Sequence, residues 1–121
     1  MQYMLVYMQT ASDLALRTDP AQAPAYWDAW RAYMAALRQS GMMLSGHGLQ
    51  PPETGTTVRV RHGKRVIQDG PFADTKEHLG GYAILEAPSL DMALRWAERA
   101  PCATSGSVEV RPIMPTIAIN A

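Results

Sequence analysis

Residues 3–9 read YMLVYMQ, and both faces of that short run are apolar. Aromatic and β-branched residues make it a strand. Tyr3, Leu5 and Tyr7 alternate with Met4, Val6 and Met8, so side chains of opposite parity are equally in need of cover. Helices can supply one cover, and a second subunit is the simplest source of the other.

Working outward, residues 11–23 are polar with an Asp19-Pro20 turn signal, and read as a mobile connection. A helix is predicted over 24–39. Pro24 suits its first turn, Trp27, Trp30, Met34 and Leu37 recur as one apolar stripe for the core, and Gly41 stops it. Residues 42–49, MMLSGHGL, form a second strand, with Met43, Ser45, His47 and Leu49 on one face and Gly46 and Gly48 on the other. Residues 56–68 are a hairpin about a His62-Gly63 turn. A strand over 82–87 is followed by a helix over 90–99, with Ser89 as N-cap, Leu90, Ala93, Leu94 and Ala97 as the buried face, and Pro101 as terminator. Residues 107–113 form the last strand. The tail after Met114 is apolar enough at Ile117 and Ile119 to dock on a partner.

Setting the hairpin aside, the order is βαββαβ. That predicts an α+β, ferredoxin-like fold: one four-stranded antiparallel sheet with two helices on one face. The bare face and the doubly apolar first strand predict a homodimer whose sheets face each other.

The 121 residues are expected to form a single domain. Lysine plus arginine and aspartate plus glutamate both number 11. This balance argues against nucleic-acid and membrane-surface partners, both of which usually draw on a basic excess. The opening MQYMLVYMQ lacks a basic n-region and is too short for a membrane span. Cys102, the single cysteine, cannot form an internal disulfide, and a cytoplasmic location is expected.

Residues 69–82, DGPFADTKEHLGGY, concentrate a turn, the one Phe, alternating charges and a Gly80-Gly81 pair. They are expected to form a long loop across the mouth of the sheet, where function often lies. Asp69 is either a turn opener that caps backbone N–H groups or a general base that orients a substrate. Asp74, Lys76 and Glu77 are either a solvated helical turn or ligand contacts, Lys76 being suited to an anionic group. His47, in mid-strand, is the first choice among the histidines as a catalytic residue. Glu109 and Arg111 share a face of the last strand and could pair across the sheet or project into the cleft, which makes Arg111 a further ligand-binding candidate. His47, His62 and His78 lack close metal-ligand spacing, so no metal is expected. A serine nucleophile motif, a phosphate-cradling loop and a nucleotide fingerprint are absent, so no cofactor is expected.

The stretch DGPFADTKEHLGGY resembles the signature of the DGPF branch of YCII-related proteins, whose usual form is close to DGPFAETKE followed by a glycine pair. GHGLQPP, TTVRVRHGK, WAERAP and VEVRP are similar to the same family, from the first strand to Pro112. The resemblance implies ferredoxin-like subunits in a dimeric α+β barrel. It also implies kinship with small bacterial proteins, some of them near or fused to sigma-factor-like regulators, and, more widely, with a dehydrochlorinase.

The catalytic centre proposed in that superfamily is a His–Asp pair. The histidine follows the proline that opens the first helix, where this chain has Pro24-Ala25-Tyr26. The aspartate precedes the proline that ends the second, where it has Ala100-Pro101. Tyr26 needs a large pKa shift to act as a base at neutral pH, and Ala100 has no acid chemistry. The pair is not carried over, and any chemistry is expected at the 69–82 loop. Two hypotheses result. One is a small-molecule enzyme or binder with Asp69 as base or orienter and Lys76 as anion contact. The other is a non-enzymatic interaction or regulatory module with Phe72 as its buried anchor.

Overall fold

The computed structural model describes residues 1–70 and 76–115. Strands β1 (Gln2–Thr10), β2 (Met43–Gly48), β5 (Glu77–Glu86) and β6 (Ser107–Pro112) form one sheet in the order β2-β5-β1-β6. Every pairing is antiparallel. Helices α2 (Ala23–Gln39) and α3 (Leu90–Glu98) pack on one face, giving the expected ferredoxin-like α+β fold. Strands β3 (Thr56–Arg61) and β4 (Lys64–Asp69) form the inserted hairpin, a separate two-stranded sheet. His62 and Gly63 both have positive φ, 52° and 73°, as a tight two-residue hairpin turn requires.

The β1 alternation decides the layering. Tyr3, Leu5, Tyr7 and Gln9 are buried toward the helices, while Met4, Val6 and Met8 are half-buried on the opposite face beside Ile84. Leu5, Leu37 and Leu85 are fully buried, and each such side chain contributes roughly 1.5–3 kcal/mol of transfer free energy. An aromatic chain joins the layers. The Tyr7 and Tyr33 hydroxyls are 2.9 Å apart, and Tyr33 donates at 3.0 Å to the Trp96 carbonyl, so Tyr7 must be the donor to Tyr33. Burial pushes the Tyr33 hydroxyl up to about 12 and that of Tyr7 higher still, so both stay neutral and keep this direction.

Four local expectations need correction. The polar stretch after β1 is structured: Thr10 and Asp13 form a reciprocal capping box that opens α1 (Ala11–Ala15), and a 3-10 turn, Leu16–Thr18, follows. In α2 the core stripe is rotated. Tyr33 and Leu37 are buried, Trp30 and Met34 are half-buried, and Trp27 is exposed. In α3, Ala93, Trp96 and Ala97 are buried, while Leu90 and Leu94 are each nearly half exposed. Burying Trp96 beside Tyr33 removes more apolar area than burying either leucine, which turns the helix. In β2 the register shifts between Met43 and Ser45, so Met43 packs with the core while Ser45 and His47 lie on the open face.

The predicted long loop is also shorter than expected. Asp69 ends β4, and residues from Glu77 onward already pair with Thr10, Gln9 and Met8 of β1. Pro71, Phe72 and Asp74 lie outside the described residues, as do Ile117 and Ile119.

Candidate functional site

A cavity of about 470 Å3 lies between the N-terminal half of α2 and the β2–β5 margin of the sheet. Missing side chains create it. Gly46, Gly48 and Gly81 hold helix-facing register positions beneath α2, where Ala83 and Leu85 fill the next positions with core. Gly48 has open space where a Cβ would stand, whereas a Cβ on Gly81 would lie 2.9 Å from the His47 carbonyl oxygen. The first glycine leaves room and the second permits close strand approach.

Gln9 occupies the fourth inward position of β1 and is only 1% exposed. A buried amide must be hydrogen-bonded, and Arg17 satisfies it. The guanidinium donates to Gln9 Oε1 at 2.7 Å, to Tyr26 Oη at 3.0 Å and to the carbonyls of Leu49 at 2.6 Å and Gly80 at 3.2 Å. Gln9 Nε2 donates to Tyr26 Oη at 2.6 Å. Arg17 also stacks near Trp27, 5.5 Å from the ring centre, while the Trp27 indole N–H donates to the Arg17 carbonyl at 3.3 Å. One arginine thereby ties α2, β1, β2 and β5 together. A β-bulge between Tyr7 and Met8 brings Gly80 against the Gln9 side chain, with no space left for a Cβ.

The rest of the wall is aromatic and cationic. Trp27, Trp30, Met34 and Tyr7 face it from helix and sheet, and Arg31 and Arg38 add charge. Arg31 is paired with Asp28 at 2.7 Å. Among the described residues no carboxylate lines the cavity. His47 and Tyr82 border the cavity as strand residues, while their side chains meet on the open face of the sheet, His47 Nδ1 2.9 Å from Tyr82 Oη. A second hollow of about 300 Å3 continues past Arg38, Ser45 and His47.

Of the candidate catalytic and ligand-binding residues named from sequence, only His47 borders this cavity, with its side chain on the open face, and Gly80, Gly81 and Tyr82 of the 69–82 stretch join it there. Asp69 ends the hairpin, and Lys76 is exposed just before β5. Glu77, half-buried in β5, accepts from Ser107 Oγ at 2.8 Å. Arg111 pairs with Glu109, two residues away on the same strand, at 3.4 Å on the open sheet face. Asp74 lies outside the described residues. Cys102 is buried, and burial pushes its thiol up to about 11, so it is a protonated core residue at neutral pH. Among the described residues no group of three or more His, Cys, Asp or Glu is arranged to hold a metal ion, and no helix is long and apolar enough to cross a membrane.

Sequence reasoning passed over Gln9, Arg17 and Arg38. Two signals were available for the first two. Gln9 continues the buried parity of Tyr3, Leu5 and Tyr7, and a polar residue there demands a partner. Thr10-x-x-Asp13 is a capping pattern, which marks the following segment as ordered.

Uncharacterized protein R00369 of Rhizobium meliloti (strain 1021) is 42% identical over 67 residues, 54% of this chain and 54% of that protein. The match thus spans about half the length of that curated relative. Among solved structures, 5-chloro-2-hydroxyhydroquinone dehydrochlorinase (TftG) of Burkholderia phenoliruptrix AC1100, in complex with 2,5-dihydroxybenzoquinone, is similar over 94% of both chains. The TM-score is 0.55 and the identity 18%, a likeness of fold. The YCII-related domain model matches residues 1–117, and the chain belongs to the YCII-related family.

Proposed function

We propose that this chain is a small-molecule enzyme or binder that takes a flat, negatively charged organic compound in the cleft between α2 and the β2 margin. The observation that carries this reading is the cleft wall: Arg17, Arg31 and Arg38 with no carboxylate among the described lining residues. Arg17 is held by neutral acceptors, so its charge is not cancelled. Trp27 and Trp30 offer apolar surface for a ring, and a cavity of about 470 Å3 falls within the usual range for ligand sites. His47 and Tyr82, joined through Nδ1 and Oη at 2.9 Å, stand on the opposite, open face of the sheet and leave the cleft to the arginines and aromatic rings.

Titration with benzoate and with 2,5-dihydroxybenzoquinone, the compound bound by the dehydrochlorinase, tests this through the fluorescence of Trp27 and Trp30. Arg38→Met and Trp27→Ala should each weaken binding about 5- to 30-fold, the worth of one charged or apolar contact. Absence of saturable binding, or binding indifferent to both changes, refutes the reading. Asp69→Asn and Lys76→Ala belong in the same series. A larger loss in these two than in the cleft variants would move the ligand to the β4–β5 connection, with Asp69, Asp74, Lys76 and Glu77 as its contacts, and Arg111→Ala tests the remaining candidate.

A second reading, a homodimeric interaction or regulatory module, is favoured by the open sheet face. Met4, Val6, Met8 and Ile84 stand there with helices on the other side only. Two such faces packed together would cover them. Sedimentation of the wild type as a dimer and of Val6→Glu as a monomer is the expected result, and a monomeric wild type at micromolar concentration refutes it.

A further inference from the structure

Tyr26 Oη stands between two donors, Gln9 Nε2 at 2.6 Å and Arg17 Nε at 3.0 Å. Arg17 decides which end of the Gln9 amide faces the tyrosine. A guanidinium can only donate, and its other nitrogen lies 2.7 Å from the far end of that amide. The far end is therefore the oxygen, and the nitrogen faces Tyr26. With both neighbours donating, the phenol oxygen has used its acceptor capacity and has nothing to donate to on that side. No other protein acceptor lies within reach of its hydrogen among the described residues. Tyr26 is half-buried and lines the cleft, so the hydrogen has the cavity left to point into. Accepting from a guanidinium also polarises the hydroxyl and strengthens what it donates.

We propose that Tyr26 selects the ligand by donating its hydroxyl hydrogen to an acceptor oxygen, whether carbonyl, carboxylate or phenolate, of the compound in the cleft. Arg17 and Gln9 are positioning residues that keep this hydrogen turned outward. The inference rests on the cleft being a ligand site, and adds to it the chemistry of the atom recognised. A compound bearing only a donor at that point meets no acceptor on Tyr26 and is disfavoured, because site and ligand would each leave a polar group unpaired.

The test uses three probes of similar size: benzoate, acetophenone, and ethylbenzene, which lacks the acceptor oxygen. Tyr26→Phe should weaken benzoate about 10- to 100-fold and acetophenone about 3- to 10-fold, while ethylbenzene is unchanged. Gln9→Glu is the second variant. It keeps the tyrosine and the shape of the cleft, but offers the hydroxyl an inward acceptor, so the hydrogen should turn away from the ligand. It should weaken acetophenone, a neutral probe insensitive to the added charge, as much as Tyr26→Phe does. If both variants bind acetophenone within twofold of wild type while Trp27→Ala loses it, the cleft stands and the role of Tyr26 falls. If the wild type binds neither oxygenated probe, the cleft reading falls and this inference falls with it. Should Tyr26→Phe fail to fold by circular dichroism, folded Gln9→Glu with wild-type affinity for acetophenone is enough to overturn the proposal.

Discussion

Replacing Arg17 by methionine keeps the stem that packs along Trp27 and removes the guanidinium. The consequences divide by burial. Leu49 is exposed, so water replaces the bond to its carbonyl at little cost. The Gly80 carbonyl keeps the Leu49 N–H at 2.9 Å. Tyr26 keeps Gln9 Nε2. Gln9 Oε1 is different: its residue is 1% exposed and Arg17 is the donor it is bonded to. An unsatisfied buried acceptor costs about 1–3 kcal/mol, so Arg17→Met should destabilise the fold by about 2 kcal/mol. For a chain of this length that is a fall in Tm of roughly 6–12 °C. The explanation makes a sharper claim through the double variant. Gln9→Met alone takes one acceptor from a guanidinium that keeps Tyr26, Leu49 and Gly80, but Gln9→Met combined with Arg17→Met removes donor and acceptor together. The double variant should therefore be more stable than the sum of the single losses predicts, by about 1–2 kcal/mol. Urea unfolding followed by tryptophan fluorescence measures all four corners of the cycle. Additive losses, or an Arg17→Met loss under 0.5 kcal/mol, would refute the view that this arginine acts by satisfying a buried amide.

Four further outcomes follow from the structure. Gly81→Ala places a Cβ 2.9 Å from the His47 carbonyl oxygen and 3.2 Å from Gly48 Cα, backbone atoms held in β2, and should cost about 2 kcal/mol or more in urea unfolding. Gly48→Ala meets nothing within 4 Å, so it should leave stability within about 0.5 kcal/mol while shrinking the cleft and weakening benzoate. Ser89→Ala removes the N-cap that accepts from Met92 N–H at 3.2 Å, for about 1 kcal/mol of stability. With rising pH, an unfolded thiol ionises near 9 but folded Cys102 near 11. This contribution to stability, up to roughly 2 kcal/mol, is complete below pH 9 and is lost by about pH 11. In Cys102→Ala the alkaline decline should start about one pH unit later, where the buried tyrosines take over, and an unchanged profile would count against the assignment.

Much of the architecture was legible because it depends on neighbours in the chain. The doubly apolar 3–9 run, Pro24 at a helix start, the His62-Gly63 turn and the Ser89 cap each act over one to four residues, and each is found where its local signal stands. The βαββαβ order then leaves few ways to bury those faces. The cleft was not legible in this way. Arg17 finds its partners 8, 9, 32 and 63 residues away along the chain, and neither α1 nor the 3-10 turn announces them. Gly46, Gly48 and Gly81 read as breakers or tight-approach points until strand pairing sets them beneath Trp27 and Trp30, where their missing side chains become a cavity. The β2 bulge decides that Met43 serves the opposite face from Ser45 and His47, and a one-residue shift of register reverses such an assignment. Hydrophobic period and turn chemistry are properties of a segment. A binding site made of absent side chains and long-range hydrogen bonds exists only once segments are paired, because register and packing between distant elements set its shape and charge.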